Sequence, residues 1–303
     1  MAKKQNRGLF RNPWLIIVFI AAMILYYFMN GGGDGSTLLS GGVSPAADIN
    51  LAENELGVFY LDIGQGDAIL LENDGKTMLI DTGSGIEVMS LLNFLDARSI
   101  KTIDYLLLTH AHEDHIGSAP DVIRRYEIGE VYMPEKLHTT KIFEDTLDAF
   151  EAKNIMIHPA RAGVSFSFGN AECLLLSPNK DYDDINNSSI VMLLAFGSSS
   201  FIFTGDAEAK AERDILSAGY NIRADVLKVG HHGSSTSTSE EFLSAVNPKL
   251  AVISLGADNS YGHPHTETMD VLSTQEAQIY RTDEKGTITL ISDGQNITVI
   301  TDK

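Results

Sequence analysis

Cysteine is almost absent: Cys173 is the only one in the 303 residues. No intramolecular disulfide is open to the chain, so its fold must rest on an apolar core. Cys173 lies in the run Ala171-Glu172-Cys173-Leu174-Leu175-Leu176 and reads as a buried strand residue, because a free thiol packs as a small apolar group. Basic residues are scarce as well. The chain has 22 lysines and arginines against 41 aspartates and glutamates, a formal net charge of -19. Sequence-independent grip on nucleic acid needs lysine and arginine to displace counterions from phosphates. Broad clamping of that kind is therefore disfavoured, while a small phosphate site neutralised by metal is not. Short-period repeats, collagen periodicity and basic runs of the nucleic-acid-binding type are missing too.

What is present is ordinary for a globular chain, with 44% hydrophobic and 21% charged residues. One exception stands at the N-terminus. Lys3, Lys4, Arg7 and Arg11 precede an uncharged run from Trp14 to Met29. The run is slightly shorter than the ~20 residues that cross a bilayer core, and Pro13 and Asn30 extend it a little. Trp14 at one end and Tyr26 and Tyr27 at the other suit the two interfaces, and the basic flank belongs on the cytoplasmic side. A cleaved signal is a second reading, although Gly31–Gly33 is a poor cleavage site. A buried core helix is a third, although such a helix is rarely apolar all round behind a basic tail. The organisation expected is a tail and single membrane anchor over 1–30, a flexible Gly/Ser-rich linker over 31–55, and a globular domain over 56–303.

Within that domain, Val58–Leu61, Ala68–Leu71 and Thr77–Ile80 read as strands, and Asn73-Asp-Gly75 favours a tight hairpin. Helices are expected over 86–97, 116–125, 140–152, 207–218, 239–246 and 266–274. Strands are expected near 103–108, 130–133, 155–158, 171–176, 189–196, 200–204, 225–229, 250–254, 287–291 and 296–300. Apolar strands with helices outside them predict an α/β fold built as a four-layer αββα sandwich.

The chemical signal follows the strand ending at Leu108: His110-Ala-His112-Glu-Asp114-His115. In extended chain His110 and His112 point the same way, because side chains alternate with period two. They can hold one cation together. Asp114 and His115 open the next helix, point differently, and suit a second cation. Imidazole nitrogen and carboxylate oxygen are zinc-type ligands.

His-x-His-x-Asp-His after an apolar strand resembles the signature of the metallo-β-lactamase superfamily. Phe59-Tyr-Leu-Asp62-Ile-Gly-Gln-Gly66-Asp67-Ala68, Leu79-Ile-Asp81-Thr-Gly83, Phe203-Thr-Gly205-Asp206, Leu227-Lys-Val-Gly-His231-His232-Gly233-Ser234 and Asn259-Ser-Tyr261-Gly-His263-Pro264 narrow the match. As a set they resemble the C-terminal hydrolase domain of the ComEC competence family, over roughly residues 56–300. That family's polytopic channel region has no counterpart here, so DNA uptake as such is not implied.

The resemblance implies two divalent ions, zinc or, as the alternative, manganese, held by His110, His112, Asp114, His115, Asp206, His231 and His263. Asp206 would bridge the ions, and it also fits a helix N-terminal aspartate. Of His231 and His232, one is expected on metal and the other toward substrate, with His231 preferred as ligand. His263 completes the second site or is a turn histidine. Asp81 is expected to orient a ligand histidine, and it also suits a turn. Asn187, His232, Ser234 and Tyr261 are expected near substrate, where turn chemistry is an equal reading for the Asn and Ser residues. Many superfamily members carry a further metal histidine where this chain has Asn186-Asn187-Ser188-Ser189, so either His231 takes that place or the first ion is held more weakly. His138 and His158 read as loop or surface residues and His265 as a rim residue.

The reaction expected is metal-assisted hydrolysis, with Asp114 and Asp206 as catalytic groups that accept protons as well as bind metal. The first substrate class is a phosphodiester, in nucleic acid or in a phosphorylated cell-envelope polymer. A β-lactamase or lactonase is the alternative enzyme, and a non-catalytic metal-binding module the alternative of another kind. The N-terminal pattern also fixes a topology: alkaline phosphatase fused after residue 50 should be active in cells, and a reporter that needs the cytoplasm should be silent there. The opposite pair of outcomes refutes an anchored, outward-facing domain.

Overall fold

The Asn73-Asp-Gly75 break closes a hairpin. In this computed structural model, which describes residues 43–303, Asn73 pairs with Lys76 across the turn. Asp74 (φ 49°) and Gly75 (φ 71°) both take the left-handed conformation that a two-residue turn of this type needs. The hairpin joins β2 (Ile69–Asn73) and β3 (Lys76–Ile80), and β2 lies antiparallel to β1 (Leu56–Tyr60).

From there the chain passes through α1 (Val88–Ala97) to β4 (Thr102–Leu107). It then runs through α2 (Glu113–Ile116) and α3 (Ala119–Arg125) to β5 (Glu127–Met133), and through α4 (Lys141–Ala152) to β6 (Ile157–Pro159). β7 (Ser165–Phe168), β8 (Ala171–Ser177), β9 (Val191–Phe196) and β10 (Ser199–Phe203) follow as an antiparallel run. α5 (Ala209–Ser217), β11 (Val226–Lys228), α6 (Glu240–Val246), β12 (Leu250–Ile253), α7 (Thr266–Ser273), β13 (Gln278–Arg281) and α8 (Thr282–Lys285) alternate, and β14 (Ile288–Ser292) and β15 (Ile297–Thr301) return to the first sheet. Among the described residues the strands form two sheets, ordered β15-β14-β1-β2-β3-β4-β5-β6 and β13-β12-β11-β10-β9-β8-β7.

Alternation along the strands sorts the core into three layers. Val58, Tyr60, Leu71, Met78 and Ile80 face Met192, Leu194, Phe201, Phe203 and Val252 between the sheets, where Tyr60 stacks on Phe203 at 6.2 Å. The intervening Phe59, Leu70, Leu79 and Leu106 pack under α1, α3 and α4. Ile202, Leu227, Ala251 and Ile253 pack under α5, α6 and α7. This is the αββα sandwich the sequence predicts. The parallel strands β3, β4, β10, β11 and β12 release their loops at carboxyl ends, the usual place for a site in parallel α/β sheets.

Three expectations need correction. The helix expected over 116–125 begins only at Ala119, after a separate short helix Glu113–Ile116, and between the two Gly117 packs so closely that a Cβ would lie 2.3 Å from the Gly85 nitrogen. β7 and β13 are strands the pattern did not reveal. Residues 43–55, expected to belong to a flexible linker, dock on the domain. Pro45–Asp48 forms a 3-10 turn with Ala46 and Ala47 buried. Arg98 donates to the carbonyls of Ala46, Ala47 and Ile49 at 2.9–3.2 Å, pairs with Glu72, and lies over the Phe59 ring at 4.2 Å. The apolar run 14–29 lies outside the described residues. Among the described residues, no helix is long and apolar enough to cross a membrane.

Arg98 binds three carbonyls of the segment, of which that of Ala46 also accepts the Ile49 amide at 3.3 Å, and charged hydrogen bonds of this kind contribute ~1.5–3 kcal/mol each when intact. Arg98→Ala should lower stability by about 2 kcal/mol in a urea melt and expose the 49–55 stretch to limited proteolysis. Unchanged melting and cleavage would show that the segment is held by other contacts.

Candidate metal centre

Asp81 stands just beyond β3 with φ 57°, a conformation aspartate tolerates better than most residues. It is fully buried. Its carboxylate accepts from the Thr109 amide (2.7 Å) and hydroxyl (2.6 Å), and Oδ2 meets His115 Nδ1 at 2.8 Å. This fixes both the loop after β4 and the ring of His115, whose Nε2 then faces Asp206 Oδ1 at 3.2 Å. Burial works against charge on His115, yet Asp206, Asp81 and Asp114 hold its pKa well above the ordinary imidazole value.

His110 and His112 project together, His110 Nε2 lying 3.0 Å from His112 Nδ1 and 3.6 Å from Asp206 Oδ2. Burial drives the His110 pKa well down, and Ser189 Oγ sits 3.3 Å from its Nδ1. In α2, Glu113 turns away to the Ser84 hydroxyl and the Gly85 amide. Asp114 instead reaches His232 Nε2 at 3.3 Å.

The second sheet supplies the opposite wall. Asp206 follows β10, with its amide donating to Ser189 Oγ at 3.2 Å. Burial alone would raise its pKa, but His115, His232 and His110 hold it well below the carboxylate range. His231 and His232 lie in a tight turn after β11 with φ/ψ of 49°/46° and 54°/25°. Two successive left-handed non-glycine residues store roughly 1–3 kcal/mol each. Gly233 takes φ 85°, and a Cβ there would lie 2.6 Å from Pro264. The turn aims both imidazoles into one cleft. His232 is buried: Nδ1 contacts the Ser254 carbonyl at 2.9 Å, and Nε2 faces Asp114 and Asp206 (3.6 Å). His231 is partly exposed, with Nε2 3.6 Å from Asp206 Oδ2 and Nδ1 toward Thr236 and Glu208.

Four donor groups result, each with atoms within 4.8 Å of one another: His110/His112/Asp206, Asp114/His115/His232, Asp67/Asp206/His232 and Asp67/Asp81/His115. The first two are those that the His110–His115 loop shares out between them. Asp206 serves both: Oδ2 faces His110 and His231, while Oδ1 faces His115 and His232. His115 Nε2, His232 Nε2, Asp206 Oδ1 and His263 Nδ1 are buried without a hydrogen-bond partner. Orphaned atoms of this kind cost roughly 1–3 kcal/mol each unless something satisfies them. Their convergence and their nitrogen and oxygen chemistry fit divalent cations.

The placement departs from the sequence reading at several points. The preference for His231 over His232 is reversed in burial: His232 belongs to a donor group, and His231 stands beside Asp206 nearer solvent. His263 is in neither group. Its ring lies 5.7 Å from His231 and 6.3 Å from His232, and burial with these neighbours lowers its pKa to about 4. Asn187 does not face the cleft. It is buried, bonds Asp184 and Glu208 through Nδ2, and accepts the Ala211 amide at the start of α5. Ser234 is buried against Thr236, and Tyr261 is 63% exposed at the cleft mouth, stacked on His263 at 5.6 Å. His138, read as a loop residue, lines the cleft with its ring 6.2 Å from His112. His158 lies tilted beside Tyr132 with ring centroids 5.4 Å apart, and His265 accepts the Ser235 amide. The cleft measures about 410 Å3. Gln65, Glu208, Asp67 and Lys228 surround the centre without having been assigned a role. The only sequence signal for Gln65 and Asp67 is the Gly-Gln-Gly-Asp loop between two strands.

The two adjacent histidines separate in a simple test. His232→Ala should weaken zinc binding at least tenfold more than His231→Ala, read by chelator competition on folded protein. Equal losses, or a larger loss at His231, would restore the order expected from the sequence.

Comparison with known proteins agrees with this geometry. Residues 61–257 match the Metallo-beta-lactamase superfamily. The chain is 36% identical to ComE operon protein 3 of Bacillus subtilis over 250 residues, 76% of this chain and 32% of that protein. It is 29% identical to Competence protein ComA of Neisseria gonorrhoeae over 284 residues, 93% of this chain and 36% of that one. Endoribonuclease ysh-1 of Neurospora crassa is 24% identical over 197 residues, 56% and 23% of the respective chains. The chain thus spans about a third of the length of the competence-related relatives it matches. The crystal structure of the metallo-β-lactamase fold protein YhfI from Bacillus subtilis superposes with a TM-score of 0.54 at 11% identity, covering 78% of this chain and 100% of that one, a likeness of fold. With the sandwich, the His-x-His-x-Asp-His loop and these matches together, the chain belongs to the metallo-β-lactamase superfamily and has competence proteins among its relatives.

Proposed function

We propose that this protein is a dinuclear metal-dependent phosphodiesterase acting on nucleic acid or on a phosphorylated cell-envelope polymer. The observation that carries the reading is Asp206, a buried carboxylate whose two oxygens each face a separate imidazole set. His110, His112 and Asp206, with His231 beside them, would hold one ion; Asp114, His115, His232 and Asp206 would hold the other, with His263 next to both His231 and His232. Zinc suits the imidazoles, and manganese is the alternative because the carboxylates also suit harder ions. Divalent ions bound there supply Lewis acidity, lowering the pKa of water and neutralising charge at a phosphoryl or acyl oxygen.

The chain's own residues supply the rest. Asp81 holds His115 through Nδ1, so that Nε2 is the atom offered to the cleft. Ser189 stands against His110 Nδ1, and His231, with Nε2 near Asp206 Oδ2, would complete the first ion's side. Asp114 is only partly buried and opens onto the cleft, so it can accept a proton from the attacking water as well as hold an ion. The names of the competence and endoribonuclease relatives favour a phosphodiester over a lactam. The basic and apolar N-terminal sequence supports a single membrane anchor, with the domain outside the cytoplasm.

The test is hydrolysis of bis-p-nitrophenyl phosphate against nitrocefin, with and without chelator, beside elemental analysis. About two ions per chain and chelator-sensitive phosphodiester cleavage are expected. Asp206→Asn removes the charge shared by both groups and should lower kcat at least a hundredfold, equivalent to a few kcal/mol. His138→Ala, which removes a neighbour of His112 but no member of either donor group, should lose far less. Metal-free protein after reconstitution, turnover of nitrocefin alone, or full activity in Asp206→Asn refutes the reading.

A further inference from the structure

Lys228, at the end of β11, is the one buried lysine or arginine among the described residues, and it lies beneath the centre. Its Nζ meets Asp67 Oδ2 at 2.9 Å and donates to the Val229 carbonyl at 3.0 Å. Asp67 is equally buried and belongs to the other sheet, in the loop between β1 and β2. Its amide donates to the Asp114 carbonyl (3.1 Å), its carbonyl accepts from Gly83 (2.8 Å), and its Oδ1 lies 3.6 Å from His232 Nδ1. Gly66 approaches so closely that a Cβ would sit 2.3 Å from the Asp114 carbonyl oxygen. One ion pair thus joins the two sheets where the Asp114 loop of one meets the His232 turn of the other.

Such a pair is a poor choice for stability alone. Desolvating two charges offsets most of their attraction, and apolar residues of equal volume generally serve the core as well or better. Val226 and Leu227, just before Lys228, are such residues. We propose that Lys228 is a positioning residue of the metal centre: paired with Asp67, it sets the spacing between Asp114 and His232 and so the fit of the second ion. The assignment rests on the metal-centre reading above. Asp67, Asp206 and His232 also lie within donor reach of one another, and Lys228 commits one Asp67 oxygen away from that group.

The experiment compares wild type, Lys228→Met and Lys228→Met/Asp67→Asn by melting of the metal-free protein, zinc affinity in chelator competition, and kcat and KM on bis-p-nitrophenyl phosphate. Lys228→Met should melt lower, because it strands a buried carboxylate. The double variant, with no unpaired charge, should recover most of that loss. In both, the second zinc should bind at least tenfold more weakly and kcat should fall at least tenfold, with KM within threefold. Zinc bound as tightly as in wild type, or tighter, by either variant overturns the assignment; tighter binding in Lys228→Met would make Asp67 itself a ligand. A double variant that does not recover its melting temperature makes the pair a stability element and overturns it equally. Wild-type protein that takes up no zinc in the same titration refutes the metal-centre reading, and this assignment falls with it.

Discussion

The structure turns on a concentration of negative charge in a buried place. Asp67, Asp81 and Asp206 are almost wholly removed from solvent, and Asp114 adjoins them. Unpaired, ionised carboxylates in such surroundings are strongly disfavoured. The chain answers each one separately: Lys228 for Asp67, His115 and Thr109 for Asp81, and a ring of imidazoles for Asp206. At the centre Asp206 is held low and His115 and His232 high against their own burial, while burial outweighs its partners at Asp81 and keeps that carboxyl raised. His115 Nε2, His232 Nε2 and Asp206 Oδ1, still without hydrogen-bond partners, converge on the same space.

That arrangement needs two sheets rather than one. Asp81 and the His110–His115 loop leave the first sheet at carboxyl ends of β3 and β4; Asp206 and the His231–His232 turn leave the second at β10 and β11. Neither sheet alone brings donors to opposite walls of a cleft. The apolar layer between them, from Val58 and Met78 to Phe203 and Val252, therefore governs ligand spacing as well as stability. Because interiors are close-packed and resist small displacements, side chains carried at the ends of such strands keep their separation.

Much of this was legible in the sequence because it is local. Short apolar runs marked strands such as Val58–Leu61, the Asp-Gly step set the hairpin, and the spacing of His110 and His112 placed both on one side of extended chain. What was not legible depended on partners far along the chain or on unusual backbone. Strand reasoning assigns adjacent His231 and His232 to opposite faces, but successive left-handed residues turn both into the cleft. Lys228 reads as a break in an apolar strand until Asp67, 161 positions away, is seen beside it. Residues 43–55 have the composition of a tether, and only partners further along the chain, Arg98, Asp302 and Asn73, show why they dock. Asn187 stood in a motif near the site but serves the start of α5. His138 belongs to a loop with no motif, and the fold alone brings it to the cleft.

The charge balance gains meaning once the cleft is seen. A chain of net charge -19 repels phosphate polymers at long range, and among the residues lining the cleft there is no lysine or arginine. Under the proposed reading, attraction for a phosphodiester must then come from the centre itself rather than from a cationic track along the polymer. Selectivity would rest on what fits beside the imidazoles: Gln65, Thr140 and His138 on the walls and Tyr261 at the mouth. Such a site grips one phosphoryl group and leaves the rest of the substrate loosely held, which suits an enzyme that releases its polymer between cleavages. In the acidic field around it, loss of the ions would remove affinity and chemistry together, so binding and turnover share one cause.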